Sequence, residues 1–254
     1  MIKFHLVIII LVAALFSACQ QESSDHITIA TAANMQFAIK ELTKTFATQT
    51  GIDCDLVISS SGKLTAQIKE GAPYDIFISA DMRYPKKVYD SGFSMNPPKI
   101  YAYGRLVLWT AQDTIQLSMN TLRDPNINHI AIANPKTAPY GKAAIEVLQQ
   151  WNIYDTIKDK LVYGESIAQV NQFVMSKSAE VGFTAESVIL APEIKEKGHW
   201  MKVGEAGHQP IIQGVVLIDH EDAHPEAIKF YEFLFSAKAK EILEDFGYLV
   251  PEHN

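Results

Sequence analysis

Leu56-Val57-Ile58-Ser59-Ser60-Ser61-Gly62-Lys63-Leu64 is the stretch on which the reading of this chain turns. An apolar run ends in three hydroxyls and a glycine. A helical pattern opens directly after it, with Leu64 and Ile68 four residues apart. A strand that stops in small polar residues and turns straight into a helix gathers unpaired backbone N–H groups and hydroxyl donors at one point, and such a point suits an anion. A second one, Ala32-Ala33-Asn34, lies about one strand–helix unit upstream. The chain therefore reads as built to hold a small oxyanion with neutral hydrogen-bond donors.

Outward from this turn, strands and helices alternate. Residues 26–33 form a strand with Ile27 and Ile29 on one face. A helix over 34–48 follows, its apolar stripe being Met35, Ile39, Leu42 and Phe46. Gly51 stops it. Strand 53–58 and helix 62–70 come next, then the continuous apolar strand 75–79 expected of a parallel sheet covered on both faces. Residues 101–110 are long for a strand and hold Gly104, so they are expected to cross between lobes. The middle third repeats the alternation: strand 129–133, helix 139–151 with Pro139 as a first-turn proline, strand 161–163, helix 166–176, strand 180–183 and a short helix 186–190. A second long strand, 211–218, is the natural return, and helices over 224–235 and 237–246 end the chain. The pattern predicts an α/β fold of two lobes joined by two crossovers. Lobe 1 takes residues 26–104 and 213–254, and lobe 2 takes 105–212.

The ends and the composition bound the rest. Lys3, the apolar run 6–16 and the small residues Ser17-Ala18-Cys19 read as an export signal over 1–18, too short for a span of ~20 apolar residues. Cys19 directly after Ser-Ala resembles a bacterial lipobox, which implies a diacylated Cys19 as the mature N-terminus and a polar tether over 19–25. Cys54 would then be the one thiol left, with no intramolecular disulfide possible, and its place in a strand suits a small buried hydrophobe. About 235 mature residues suffice for two lobes. The formal net charge is −7 and no basic stripe is present, which argues against nucleic acid. An acidic chain that binds an anion must do so with local, well-aimed dipoles.

Several other motifs are weaker. His220-Glu221-Asp222-Ala223-His224 matches the H-E-x-x-H zinc pattern and raises the alternative of a zinc hydrolase using His220, Glu221 and His224. Pro225 disfavours helical geometry at His224, so a loop is the expected form. Ser60-x-x-Lys63 matches S-x-x-K without its companion elements. Gly62-Lys63-Leu64 lacks the upstream glycine and the following Ser or Thr of a P-loop. Asp75 and Asp81, six residues apart across a strand, read as caps rather than an acid–base pair. Phe37, Phe46, Trp151, Phe173, Phe230 and Phe233 read as core.

The whole mature chain resembles the periplasmic molybdate-binding proteins of ABC transporters. The resemblance is carried by Ala32-Ala33-Asn34-Met35, Ser59-Ser60-Ser61-Gly62-Lys63-Leu64 and Gly71-Ala72-Pro73-Tyr74-Asp75-Ile76-Phe77-Ile78-Ser79-Ala80-Asp81. Further segments are Asn134-Pro135, Pro139-Tyr140-Gly141-Lys142-Ala143, Gly164-Glu165-Ser166-Ile167, Val181-Gly182-Phe183 and Gly247-Tyr248. It implies the bilobal type II periplasmic binding protein fold with the ligand between the lobes. It also implies a non-catalytic, monomeric receptor for molybdate or tungstate, with no cofactor, delivering to an ABC permease and its ATPase. The implied contacts fall on Asn34 with Ala33 adjacent, on Ser61 with Ser60 as near alternative, and on backbone N–H groups at Tyr140 and Ile167. A tyrosine that adds a hydroxyl in some members is replaced by Ala185. Another oxyanion, such as sulfate or thiosulfate, stays open as the ligand.

Overall fold

The computed structural model describes residues 26–221 and 223–252. The expected export signal, tether and Cys19 lie outside the described residues. Two five-stranded sheets carry the fold. In the first, β1 (His26–Ala32), β2 (Asp53–Ser59) and β3 (Ile76–Ser79) are parallel, and β10 (Ile211–Leu217) runs antiparallel between β3 and β4 (Lys99–Gly104). In the second, β7 (Leu161–Gly164), β6 (Ile130–Ala133) and β8 (Val181–Ala185) are parallel, and β5 (Leu106–Thr110) and β9 (His199–Lys202) complete it antiparallel.

Helices cover both faces of each sheet. In lobe 1 they are α1 (Ala38–Thr50), α2 (Ser61–Lys69) and α3 (Arg83–Asp90). Lobe 2 has α4 (Pro139–Gln150), α5 (Tyr154–Ile157), α6 (Ile167–Met175) and α7 (Glu186–Ile189). The C-terminal α8 (Ala227–Phe233) and α9 (Ala237–Asp245) return to lobe 1. The stripe Met35, Ile39, Leu42 and Phe46 is fully buried with α8 and α9, and Phe46 meets Phe230 edge-on at 5.1 Å between ring centroids. Leu64, Ile68, Tyr84 and Val88 cover the opposite face against Phe77. Lobe 2 has its own core around Leu108, Ile132 and Phe183, and Ala32, Ala33 and Ala80 of lobe 1 pack into it. The lobes thus meet through small side chains, which let backbone from each side approach the other.

Several expectations need correction. The long strand 101–110 is two strands in two sheets, separated at Arg105. Ile211 and Ile212, assigned by sequence to lobe 2, pair with Gly104 and Tyr103 in the first sheet, although Ile211 packs into the lobe 2 core. The helix expected from residue 34 begins with a single 3-10 turn, Ala33–Met35, and becomes α-helical only at Ala38. Trp151, at the C-terminal end of α4, is 52% exposed and no part of the core. Cys54 is half-buried, its thiol pushed up to about 12 by burial and by Asp53 and Asp55. The edge strand β9 was not foreseen.

Candidate anion site

Four chain reversals point their first turns at one small cavity of about 10 Å³. Its lining is Ala32, Ala33 and Asn34 from the turn after β1, Ser60 and Ser61 from the start of α2, Ala80 after β3, Ala138, Pro139 and Tyr140 from the start of α4, and Ile167 at the start of α6. All six residues named from the sequence are therefore brought together. None of the lining side chains is charged. The first N–H groups of a helix have no intrahelical acceptor, and the aligned peptide dipoles add partial positive charge there.

Ser61 carries the clearest side-chain signal. It is fully buried, and its Oγ accepts the Ala80 N–H at 3.0 Å. That bond occupies a lone pair and leaves the hydroxyl proton, which no acceptor among the described residues takes, free to donate. Ser60 is the N-cap of α2, its Oγ accepting the Lys63 N–H at 3.4 Å. No side chain caps α4 or α6. Their first-turn N–H groups are left for something else.

Asn34 reaches the cavity, but its side-chain amide serves the protein. Nδ2 donates to Gln213 Oε1 at 2.9 Å and to the Tyr248 hydroxyl at 3.0 Å. Its backbone carbonyl oxygen accepts from Ser187 Oγ at 2.9 Å and from the Tyr248 hydroxyl at 3.2 Å, while the buried side-chain Oδ1 has no hydrogen-bond partner among the described residues. What Asn34 has to offer a ligand is its backbone N–H at the start of the 3-10 turn. Behind the Asn34 turn the phenols of Tyr101, Tyr140 and Tyr248 form a buried layer; burial raises all three above their ordinary range, so they are neutral. This layer was not legible in the sequence. Ala185 is buried in β8, pairs with Leu106 and does not line the cavity.

The lobes are closed over this space. Gly62 N–H donates to Thr137 O at 2.9 Å, the Tyr84 hydroxyl to Lys136 O at 3.1 Å, and Lys63 Nζ meets Glu165 Oε1 at 2.6 Å. Gly62 is required here: a Cβ would stand 2.9 Å from Thr137 Cα and from the Tyr84 hydroxyl. The Lys63–Glu165 pair is exposed, so it adds at most about 1 kcal/mol to closure.

The remaining motifs fall elsewhere. His220 Nε2 lies 3.5 Å from Asp75 Oδ1, and His224 Nδ1 accepts the Glu226 N–H at 3.2 Å. The helix begins only at Ala227, so the two imidazoles share no helical face. No group of three or more His, Cys, Asp or Glu able to hold a metal occurs among the described residues. Asp81 does cap, accepting the Tyr84 N–H at 3.2 Å. Asp75 does not: it ties the loop before α8 to β1 by accepting from His224 N at 2.7 Å and Thr28 N at 2.6 Å.

Two lobes whose helix N-termini converge on a cavity at their junction define a receptor that encloses its ligand. Residues 27–249 match the family described as bacterial extracellular solute-binding proteins. The chain belongs to that family. It is 36% identical over 228 residues to the molybdate-binding protein ModA of Rhodobacter capsulatus, covering 89% of each chain. It is 34% identical to ModA of Azotobacter vinelandii over 233 residues, 91% of this chain and 92% of the other. The solved structure of the Azotobacter vinelandii periplasmic molybdate-binding protein superposes with a TM-score of 0.83 at 33% identity, over 89% of this chain and all of that one.

Proposed function

We propose that the cavity between the lobes holds molybdate, and that the protein delivers it to an ABC transporter. The protein is a binding protein and not an enzyme, and the anion is its cargo rather than a cofactor. The reading is carried by one observation: first-turn N–H groups and a serine hydroxyl converge on a small cavity with no charged side chain in its wall. The Ser61 hydroxyl, with Ser60 beside it, and the backbone N–H groups of Ala33, Asn34, Tyr140 and Ile167 are the donors. A tetrahedral dianion only accepts, and several such donors together can replace its hydration without a counter-charge. Monoprotonated phosphate carries an O–H that would face donors, and an unmatched buried polar group costs about 1–3 kcal/mol. Sulfate is selected against by size, and tungstate, alike in charge and shape, is accepted. Release requires opening at the two connections near Tyr103-Gly104-Arg105 and Gln213-Gly214.

In this reading the receptor is a monomer, tethered to the extracytoplasmic membrane surface through a lipid on Cys19, with the permease and its ATPase as partners. No helix among the described residues is long and apolar enough to cross a membrane. Isothermal titration with molybdate, tungstate, sulfate and phosphate tests the ligand. Molybdate and tungstate are expected to bind far more tightly than the other two. Sulfate or phosphate binding as tight as molybdate would overturn the reading. Mass spectrometry of the membrane-extracted protein tests the lipid.

A further inference from the structure

Gln213 does not line the cavity, yet both halves of the site are fastened to it. It is fully buried on β10, where the register with β4 shifts between Gln213 and Gly214. Its Oε1 accepts from Asn34 Nδ2 at 2.9 Å and from the Tyr101 hydroxyl at 2.5 Å. Its Nε2 donates to the Tyr140 hydroxyl at 3.2 Å. Asn34 belongs to the lobe 1 turn that faces the cavity, and Tyr140 stands in the first turn of α4 in lobe 2. One primary amide thus joins the two with its two different ends. A carbonyl alone or a donor alone could not satisfy both. The surroundings are shaped around it: a Cβ on Gly104 would strike both Gln213 Nε2 and the Tyr140 hydroxyl.

We infer that Gln213 is a positioning residue that couples the lobe 1 and lobe 2 halves of the anion site, so that ligand affinity depends on an amide the ligand never touches. This rests on the function proposed above. When the lobes close, the Asn34 turn and the start of α4 are set relative to one another by bonds to the same side chain. Without that amide each half keeps its donors but loses its fixed distance from the other, and a tetrahedral guest needs both at once.

The test uses molybdate binding by isothermal titration to the wild type, Gln213→Leu and Gln213→Glu from about pH 6 to pH 8, a range across which a buried carboxyl can titrate. A protonated glutamic acid offers one acceptor and one donor, as the amide does; once ionised it offers acceptors only and places a negative charge below the anion. The wild type is expected to show a flat profile. Gln213→Leu is expected to bind at least about tenfold more weakly. Gln213→Glu is expected to approach the wild type at the acid end and to weaken steadily as pH rises. The second variant is compared with itself, so the test survives if Gln213→Leu fails to fold. Gln213→Leu binding within about twofold of the wild type, or a Gln213→Glu profile as flat as the wild type's, would overturn the coupling role while leaving the ligand assignment intact. A wild type that ignores molybdate would instead remove the reading beneath it, and the role of Gln213 with it.

Discussion

The two lobes bring different chemistry to the same cavity. Lobe 1 adds a side chain to the backbone of the Ala33-Asn34 turn: Ser61 has its hydroxyl aligned by the Ala80 N–H, and its helix is capped by Ser60. Lobe 2 offers backbone: the starts of α4 and α6 carry no side-chain cap, and the residues there, Tyr140 and Ile167, turn their side chains into the core. The two halves of one site are therefore open to mutation in opposite ways. A hydroxyl can be deleted by a single substitution, whereas a peptide N–H survives almost every one.

The most disruptive change should be Ser61→Asp. A carboxylate set in the cavity repels a dianion, at about 4 kcal/mol for each pair of unit charges near 4 Å at an intermediate dielectric. Titration is expected to show binding weakened by about a thousandfold or more; retained affinity would place the anion away from α2. Ser61→Ala deletes the hydroxyl alone and should cost about 1.5–3 kcal/mol of binding, as one charge-assisted bond does. An unchanged dissociation constant would remove Ser61 from the site.

Gly62→Ala separates closure from folding. Alanine is favoured over glycine inside a helix, so the ligand-free protein should melt at the same temperature or slightly higher. The added methyl pushes against Thr137 of the other lobe and against the Tyr84 hydroxyl of its own, the far end of a side chain held in place by Lys136 O across the closed cleft and able to turn aside once the lobes part; overpacking of this kind costs about 1–3 kcal/mol, here mainly on closing. Weaker molybdate binding with an unaltered melting point is the expected pair of results; unaltered binding would mean that the cleft closes without this contact. Ile167→Val completes the comparison on the backbone side. It should lower stability by about 0.5–1.5 kcal/mol as a core truncation, yet leave molybdate affinity within about twofold. A loss of affinity as large as that of Ser61→Ala would show that the side chain, not the N–H, is what lobe 2 contributes.

The smallest effect concerns pH. Burial raises the Asp81 carboxyl above its ordinary value, against weaker opposing pulls from Arg83 and from the N–H groups of Tyr84 and Arg83. A carboxyl raised on folding favours the folded state while protonated, so its contribution is full in acid and is lost as pH climbs through the raised value. Asp81→Asn keeps the cap and removes that loss. Denaturant titration should find the variant more stable than the wild type near neutrality by no more than about 0.5 kcal/mol, with the gap closing in acid. A variant less stable at neutral pH would reverse the sign.

What could be read in the chain beforehand follows the same division. Ser60, Ser61 and the strand-to-helix turn were visible because a hydroxyl is a residue type and hydrophobic periodicity marks where a helix opens. Ile167 and Tyr140 were reached only through family resemblance, because every residue but proline carries an N–H. The break at Arg105 was hidden because Tyr101 to Leu108 is apolar enough to pass for one strand, and only pairing partners reveal that it serves two sheets. Trp151 misled because its spacing continues the apolar stripe of α4 one residue past its end. The layer of Tyr101, Tyr140, Gln213 and Tyr248 joins residues far apart in the chain, separated by 112 positions in the Tyr101–Gln213 bond and by 73 in the Tyr140–Gln213 bond. No local pattern encodes such a meeting.

Recognition here rests on an anion enclosed by neutral donors from both lobes. Anomalous diffraction at the molybdenum edge from crystals grown with molybdate tests it most directly. One strong peak is expected in the cavity lined by Ser61 and Ile167, with the anion's oxygens within hydrogen-bonding distance of Ser61 Oγ and of the Tyr140 and Ile167 nitrogens. A peak outside that cavity, or a lysine or arginine side chain seated against the anion, would contradict it.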